Sequence, residues 1–171
     1  ITYFLTHNYQ FTTPQQLRGD PSANKKQCII TFDDGYYNNI RALPILEKYA
    51  VPATFYVSTD HIKNQKCYWW DVLFRERIKQ GYKLHEIRKE QESLKLFQTN
   101  RIEEQLEREF GSDCLTPISD LDRPMSINEL KEFSTHKHVY LGNHTANHDL
   151  LTNYTSSEIE RQIQQCQSDI E

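Results

Sequence analysis

The order of elements legible in these 171 residues predicts an α/β fold built on parallel strands. Three observations carry that expectation. A short apolar run, Cys28-Ile29-Ile30, continues into Thr31-Phe32. A helical stretch follows from Asn38 to Tyr49, and then comes Ala53-Thr54-Phe55-Tyr56-Val57, which is β-branched and aromatic. Strand, helix and strand within roughly 30 residues form a βαβ unit, whose strands run parallel and whose functional groups gather at their carboxyl ends.

The elements follow in order. Tyr3-Phe4-Leu5 reads as a short strand. Thr13-Pro14-Gln15-Gln16 opens a helix, with Thr13 as cap, Pro14 at the first position and Gln16 closing a capping box. Residues 19–26 are polar and turn-rich, so a loop leads to the strand ending at Phe32. In the helix that follows, Ile40, Leu43, Ile45 and Leu46 are available to cover a sheet, and Pro44 distorts or delimits it. Val51-Pro52 breaks the helix before the second strand.

From about residue 61 to 125 the character changes to a helical insertion packed beside the sheet. It holds the aromatic cluster Tyr68-Trp69-Trp70, then Val72-Leu73-Phe74 running to Ile78, a segment near Leu84 to Ile87, and Asn100 to Phe110. In the last of these Ile102, Leu106 and Phe110 recur every four residues, with glutamates on the other faces. Ser126 and Glu129 form a capping box for a helix through Phe133, and His136-Lys137-His138 ends it. A third strand, Val139-Tyr140-Leu141, runs to Gly142. Thr155 and Glu158 cap a final helix with an apolar stripe at Ile159, Ile163, Cys166 and Ile170, still running where the sequence stops. The whole is expected to be one domain, residues 1–171.

Composition narrows the function classes. Lys plus Arg number 20 against 24 Asp plus Glu, a net charge of -4, so no basic excess points to nucleic acid or to an anionic membrane surface. Four widely spread cysteines (Cys28, Cys67, Cys114, Cys166) lack the close spacing of a zinc knuckle or redox motif. No apolar run approaches the roughly 18 residues of a membrane span.

The chemistry concentrates in two places. Asp33-Asp34-Gly35 sits at the end of the first strand and His144-Thr145-Ala146-Asn147-His148 just after the third. An Asp-Asp-Gly alone is an ordinary turn, and a lone pair of histidines is as often structural as ligating. Their shared position after parallel strands places both on one rim. Two histidines four apart share a side of a helical turn. A carboxylate with two imidazoles can hold one divalent ion, and the spare aspartate can move a proton. Two nitrogens and one oxygen favour zinc over magnesium or calcium.

The segments Ile30 to Tyr37 and Gly142 to Leu151, with Pro52-Ala53-Thr54-Phe55 between them, resemble the first two motifs of the polysaccharide deacetylase family, carbohydrate esterase family four. Trp69-Trp70-Asp71, and Arg123-Pro124-Met125-Ser126 leading to Gly142-Asn143-His144-Thr145, resemble members that modify bacterial surface polysaccharides. The resemblance implies a distorted (β/α) barrel, present here as a partial barrel of about three strands with a helical insertion. It implies Asp34, His144 and His148 as metal ligands and Asp33 as general base. The implied reaction removes N-acetyl or O-acetyl groups from a polysaccharide or peptidoglycan. Beside the aspartates, Tyr36 and Tyr37 are candidates to line the cleft, and Trp69 and Trp70 to stack on sugar or to pack the insertion. Thr145 is expected to support the loop between the two histidines.

After Leu151 the sequence shows no later family motif, which leaves an open sheet edge, and the expectation is an amino-terminal portion of a longer deacetylase, weakly active or inactive alone. The competing expectation is a natural short form that a second chain completes at that edge, or a metal-binding relic. The alternative is a non-catalytic carbohydrate-binding or assembly module on the same fold, or a metal hydrolase of other specificity. The compartment stays open between the cytoplasm and, with a surface-polymer substrate, the exported or cell-envelope space.

Overall fold

In the computed structural model the described residues are 1–19 and 26–171. The loop expected over 19–26 therefore lies almost wholly outside the described residues. The chain opens with α1 (Thr2–Thr6), β1 (Gln10–Phe11) and α2 (Pro14–Gly19). The strand expected at Tyr3-Phe4-Leu5 is instead a single helical turn. That turn meets its own hydrogen-bonding needs, with His7 stacking on Tyr3 at 4.2 Å and Leu5 N–H donating to the Ile1 carbonyl. The Thr13 cap forms as the spacing predicts, since the Gln16 N–H donates to Thr13 Oγ1 and the Thr13 N–H to Gln16 Oε1.

The strand expected up to Phe32 is broken in two. β2 (Gln27–Cys28) pairs in parallel with β1, and β3 (Thr31–Phe32) pairs with β4 (Ala53–Val57) in a separate sheet. That second sheet has the order β3-β4-β5, with β5 at Val139–Asn143 and every pair parallel. Thr31 lies opposite Thr54, Thr54 opposite Tyr140, and Val57 opposite Asn143. The described residues form no closed barrel, because three strands leave both edges of a sheet too far apart to meet. At the outer strand Tyr140 is 37 % exposed.

As the central strand, β4 is buried on both faces, which is why it reads as continuous apolar and β-branched sequence. Phe55 stacks on Phe32 and meets Phe133 edge-on, both at 4.7 Å. Between β3 and β4 a 3-10 turn (Tyr37–Ala42) gives way to α3 (Leu43–Tyr49), with Pro44 in the first turn where its missing N–H costs nothing. Leu46 is the one residue of α3 that is fully buried, whereas Ile45 points to solvent.

The helical insertion is present as α4 (Thr59–Asn64), α5 (Trp69–Lys79), α6 (Leu84–Leu94) and α7 (Thr99–Phe110). It has a core of its own, in which Trp69, Val72, Leu73, Leu94, Ile102 and Leu106 come together apart from the core under the sheet. Phe74 and Ile78, expected to continue that core, are exposed. Arg77 takes the place of an apolar residue on α5. Buried at 8 % exposure, it pairs bidentately with Glu90 of α6 and reaches Glu109 of α7, tying three helices with charge-assisted bonds.

The chain ends with α8 (Ile127–Ser134), β5 and α9 (Ser156–Ile170), the first and last carrying the capping boxes Ser126/Glu129 and Thr155/Glu158. On α9 the buried positions are Gln162 and Cys166, while Ile163 is 43 % exposed, so the helix is rotated from the orientation its isoleucine spacing predicts. No described helix is long and apolar enough to cross a membrane.

His61 of α4 is fully buried, stacks on Tyr68 at 4.0 Å, and donates from Nδ1 to the Lys66 carbonyl. Burial, reinforced by the Lys66 charge, lowers its pKa from 6.5 to about 3. A histidine neutral in the fold adds stability above pH 6.5 and loses it as pH falls toward 3, because only the unfolded chain takes up the proton there. The melting temperature, followed by circular dichroism, should therefore fall more steeply between pH 6.5 and 3 for the wild type than for His61→Phe. Parallel profiles would contradict this.

Candidate functional site

All three strands of the larger sheet end at the same rim, and the two motifs leave from it. After Phe32 the backbone turns sharply. Asp34 has φ +74° and Gly35 φ +77°, both left-handed, which redirects the Asp34 side chain away from the strand line. Glycine is needed next, because a Cβ at Gly35 would sit 3.1 Å from Val57 Cγ1 in an already unfavourable φ. The Tyr68 hydroxyl, carried by the insertion, donates to the Asp34 carbonyl and pins the turn.

On the other side, the His144 N–H donates to the Val57 carbonyl at 3.1 Å, and Ser58 Oγ donates to the His144 carbonyl at 3.0 Å. The segment to His148 is not the helical turn the spacing suggests. It is an irregular loop in which Thr145 (φ +64°) and His148 (φ +51°) are left-handed. Buried Gln162 of α9 holds it, accepting from the Ala146 N–H on its backbone carbonyl and from the Asn147 N–H on Oε1, at 3.1 and 2.9 Å. Thr145 supports the loop as expected, its Oγ1 accepting from the Asp149 N–H at 3.2 Å.

These elements bring Asp34, His144 and His148 together. Asp34 Oδ1 lies 3.3 Å from His144 Nε2 and 3.1 Å from His148 Nε2, and the three donor atoms lie within 4.8 Å of one another. Ligands about 2.0–2.1 Å from a tetrahedral ion are separated by about 3.3 Å, so this carboxylate and two imidazoles fit a divalent ion. Burial alone would raise the Asp34 carboxyl. The hydrogen bonds and charges of the two imidazoles outweigh that and hold it well below the usual carboxylate range.

Asp33, one residue away, is exposed, and its side chain has no hydrogen-bond partner among the described residues. It lines a cleft of roughly 350 Å³ with Asp34, His144, His148, Trp69, Trp70, Leu150 and three residues at the end of α6, Gln91, Glu92 and Lys95. Trp69 and Trp70 differ. Trp69 is 3 % exposed and belongs to the insertion core, whereas Trp70, one step around α5, is half-buried with its ring 4.7 Å from that of His148.

The two tyrosines also part ways. Tyr36 donates to Asp71 at 2.5 Å and accepts from Trp70 Nε1 at 3.0 Å. Burial, with the Asp71 charge beside it, pushes its phenol far above the usual value, so it stays a donor. Burial pushes Asp71 up to about 6, against the hydrogen bond from Tyr36. Tyr37 does not reach the cleft. Its ring lies under the Arg123 guanidinium at 3.5 Å, beside a different hollow lined by Glu129 and His136. His136 faces Glu47 at 3.5 Å, away from the donors.

Sequence reasoning missed Tyr68, Asp71 and Gln162 as supports. Gln162 had a signal: it lies four residues before Cys166, on the face of α9 that turns inward. Tyr68 had none beyond membership of an aromatic cluster, and Asp71 none beyond its place in the Trp69-Trp70-Asp71 segment of the resemblance.

The sequence profile of a family described as polysaccharide deacetylase matches residues 20–171. Poly-beta-1,6-N-acetyl-D-glucosamine N-deacetylases of Staphylococcus aureus, from strains MSSA476 and COL among others, are 29% identical over 89 residues, covering 48% of this chain and 30% of theirs. The deacetylase PplD of Streptococcus pyogenes, solved in complex with acetate, superposes over 96% of this chain and 50% of its own, with a TM-score of 0.54 and 17% identity. The chain thus spans under a third of the length of these curated relatives and half that of the solved chain.

Gln162→Ala removes the acceptor for the Asn147 N–H and loosens the loop between the two histidines. We expect it to weaken zinc binding about tenfold or more, measured by competition with a chromogenic chelator. Unchanged affinity would show that the loop is held in place by other means.

Proposed function

Because this chain belongs to the polysaccharide deacetylase family, we propose that it contributes the metal centre and general base of a hydrolase that removes acetyl groups from an N-acetylated aminosugar polymer. The observation that carries this reading is the convergence of Asp34, His144 and His148, whose donor atoms lie within 4.8 Å of one another, with Asp33 on the same cleft. The polymer comes from similarity to the Staphylococcus aureus proteins, which are named for poly-β-1,6-N-acetyl-D-glucosamine. Removal of O-acetyl groups from the same class of polymer is the lesser alternative.

The donor set favours zinc, as two imidazole nitrogens suit it better than they suit magnesium or calcium. When bound, such an ion supplies Lewis acidity to a water and to an amide carbonyl. The residues of the chain do the rest. Asp34 contributes its fixed carboxylate, kept ionised by the two imidazoles. The Asp33 carboxylate, without a hydrogen-bond partner among the described residues, can accept the proton of the attacking water as the new C–O bond forms. Breaking of the C–N bond then releases the acetyl group as acetate, and the sugar nitrogen leaves as a free amine with the proton that Asp33 took from the water. The left-handed backbone at Asp34, Thr145 and His148 stores strain at the site, so the donors are held in place before any ion arrives.

The experiment pairs metal content with turnover. Wild-type protein should bind about one zinc per chain, and Asp34→Ala or His148→Ala should lose it by a factor of about a hundred or more. In an intact enzyme that contains this chain, Asp33→Asn should keep the ion yet lower acetate release from N-acetylglucosamine oligomers about a thousandfold. Retention of zinc by Asp34→Ala would refute the ligand assignment, and full turnover by Asp33→Asn would remove it as the base.

A further inference from the structure

The cleft has a second wall that the metal chemistry does not use. We propose that the insertion supplies a sugar-binding platform there: Trp70 offers an indole face to one pyranose ring of the polymer, and Tyr36 and Asp71 hold that face in position. This rests on the hydrolase reading for its ligand, an acetylated aminosugar chain.

Helical spacing separates the two tryptophans at the start of α5. Both line the cleft, but Trp69 is almost wholly buried in the insertion core, whereas Trp70, about 100° further round and packed against the edge of that core, keeps part of its ring exposed. One face of the Trp70 ring is backed by Tyr68, stacked at 4.6 Å with an interplanar angle of 17°. Its Nε1–H is already engaged with the Tyr36 hydroxyl, and that hydroxyl spends its own proton on Asp71. Its backbone carbonyl accepts from Gln91 Nε2 at 3.1 Å, which sets α6 beside it. An indole tethered at its only donor presents the cleft with apolar π surface and no free polar atom.

The rim opposite is polar. Glu92 and Lys95 stand exposed at the end of α6, paired with each other at 2.6 Å. An apolar plate beside charged and amide groups matches a ligand with one face of C–H bonds and an edge of hydroxyls, which describes a pyranose. The plate also sits 4.7 Å from the His148 ring, so a sugar stacked on it lies next to the metal donors.

Tyr36 and Asp71 act through Trp70 and are positioning residues. Loss of the Tyr36 hydroxyl leaves the indole N–H without a partner and frees the ring to rotate. Their contribution should appear in ligand affinity more than in metal affinity.

The test is calorimetric titration of the protein with an N-acetylglucosamine tetramer, with chelator present so that the ion plays no part, alongside separate zinc titrations. Trp70→Ala should bind the tetramer at least about tenfold more weakly than wild type. Trp70→Phe should stay within about threefold because it keeps a ring, and Tyr36→Phe should fall between them. All three should keep zinc affinity close to that of the wild type, which also shows that they fold. A wild-type protein that ignores the tetramer, or a Trp70→Ala variant that binds it as well as wild type, overturns the platform. A wild-type protein that binds no zinc while its Trp70-dependent tetramer binding stays intact would instead sink the hydrolase reading and leave the platform standing.

Discussion

The pairing of Thr31 with Thr54, and of Thr54 with Tyr140, sets the height at which three parallel strands end. Everything chemical in this chain depends on that register. Asp34 and His144 are separated by 110 positions in sequence, and their donor atoms are 3.3 Å apart because β3 and β5 flank the same central strand and stop at the same rim. A slip of one residue in either pair would turn each side chain to the opposite face of the sheet. The buried aromatic contacts of Phe55 with Phe32 and Phe133 guard against such a slip, since a shifted register would expose them to water.

The rim itself is shaped by local backbone strain. The left-handed residues Asp34, Thr145 and His148 lie within or between the candidate ligands, and left-handed φ is unfavourable for residues with a Cβ, most of all for β-branched threonine. Each is offset by specific bonds from elsewhere: Tyr68 to the Asp34 carbonyl, Gln162 to the loop of Ala146 and Asn147, and Asp149 back to Thr145. The support comes from the insertion and from α9, so the parts of the chain farthest from the βαβ unit keep its donors in place.

The insertion serves two ends with one set of aromatic residues. Its inner side is a separate apolar core, locked by Arg77 between two glutamates, which makes α5, α6 and α7 a rigid block. Its outer side, through Tyr68, Trp70 and His61, packs a chain of rings against His148. His61 kept neutral by burial belongs to this layer: its flat, uncharged ring fills the space behind Tyr68, so acidification would strain the support of the Asp34 turn.

Much of this was legible in the one-dimensional pattern. The central strand was readable because it is buried on both faces, and the helix starts at Thr13, Ser126 and Thr155 because capping is a local hydrogen-bond pattern within four residues. The candidate ligands stood out because two strongly patterned motifs each follow a strand. Other features escaped for physical reasons. Tyr3-Phe4-Leu5 has strand composition, yet whether it extends or coils depends on finding a partner edge. The rotation of α9, the exposure of Ile45 and Ile163, and the diversion of Tyr37 under Arg123 are decided by which neighbour each face meets. Propensity and capping act through bonds of a few residues and so are written in sequence. Side-chain direction within a loop, and which of two adjacent tryptophans is left partly exposed beside a cleft, follow from contacts tens of residues apart, and only the folded chain determines them.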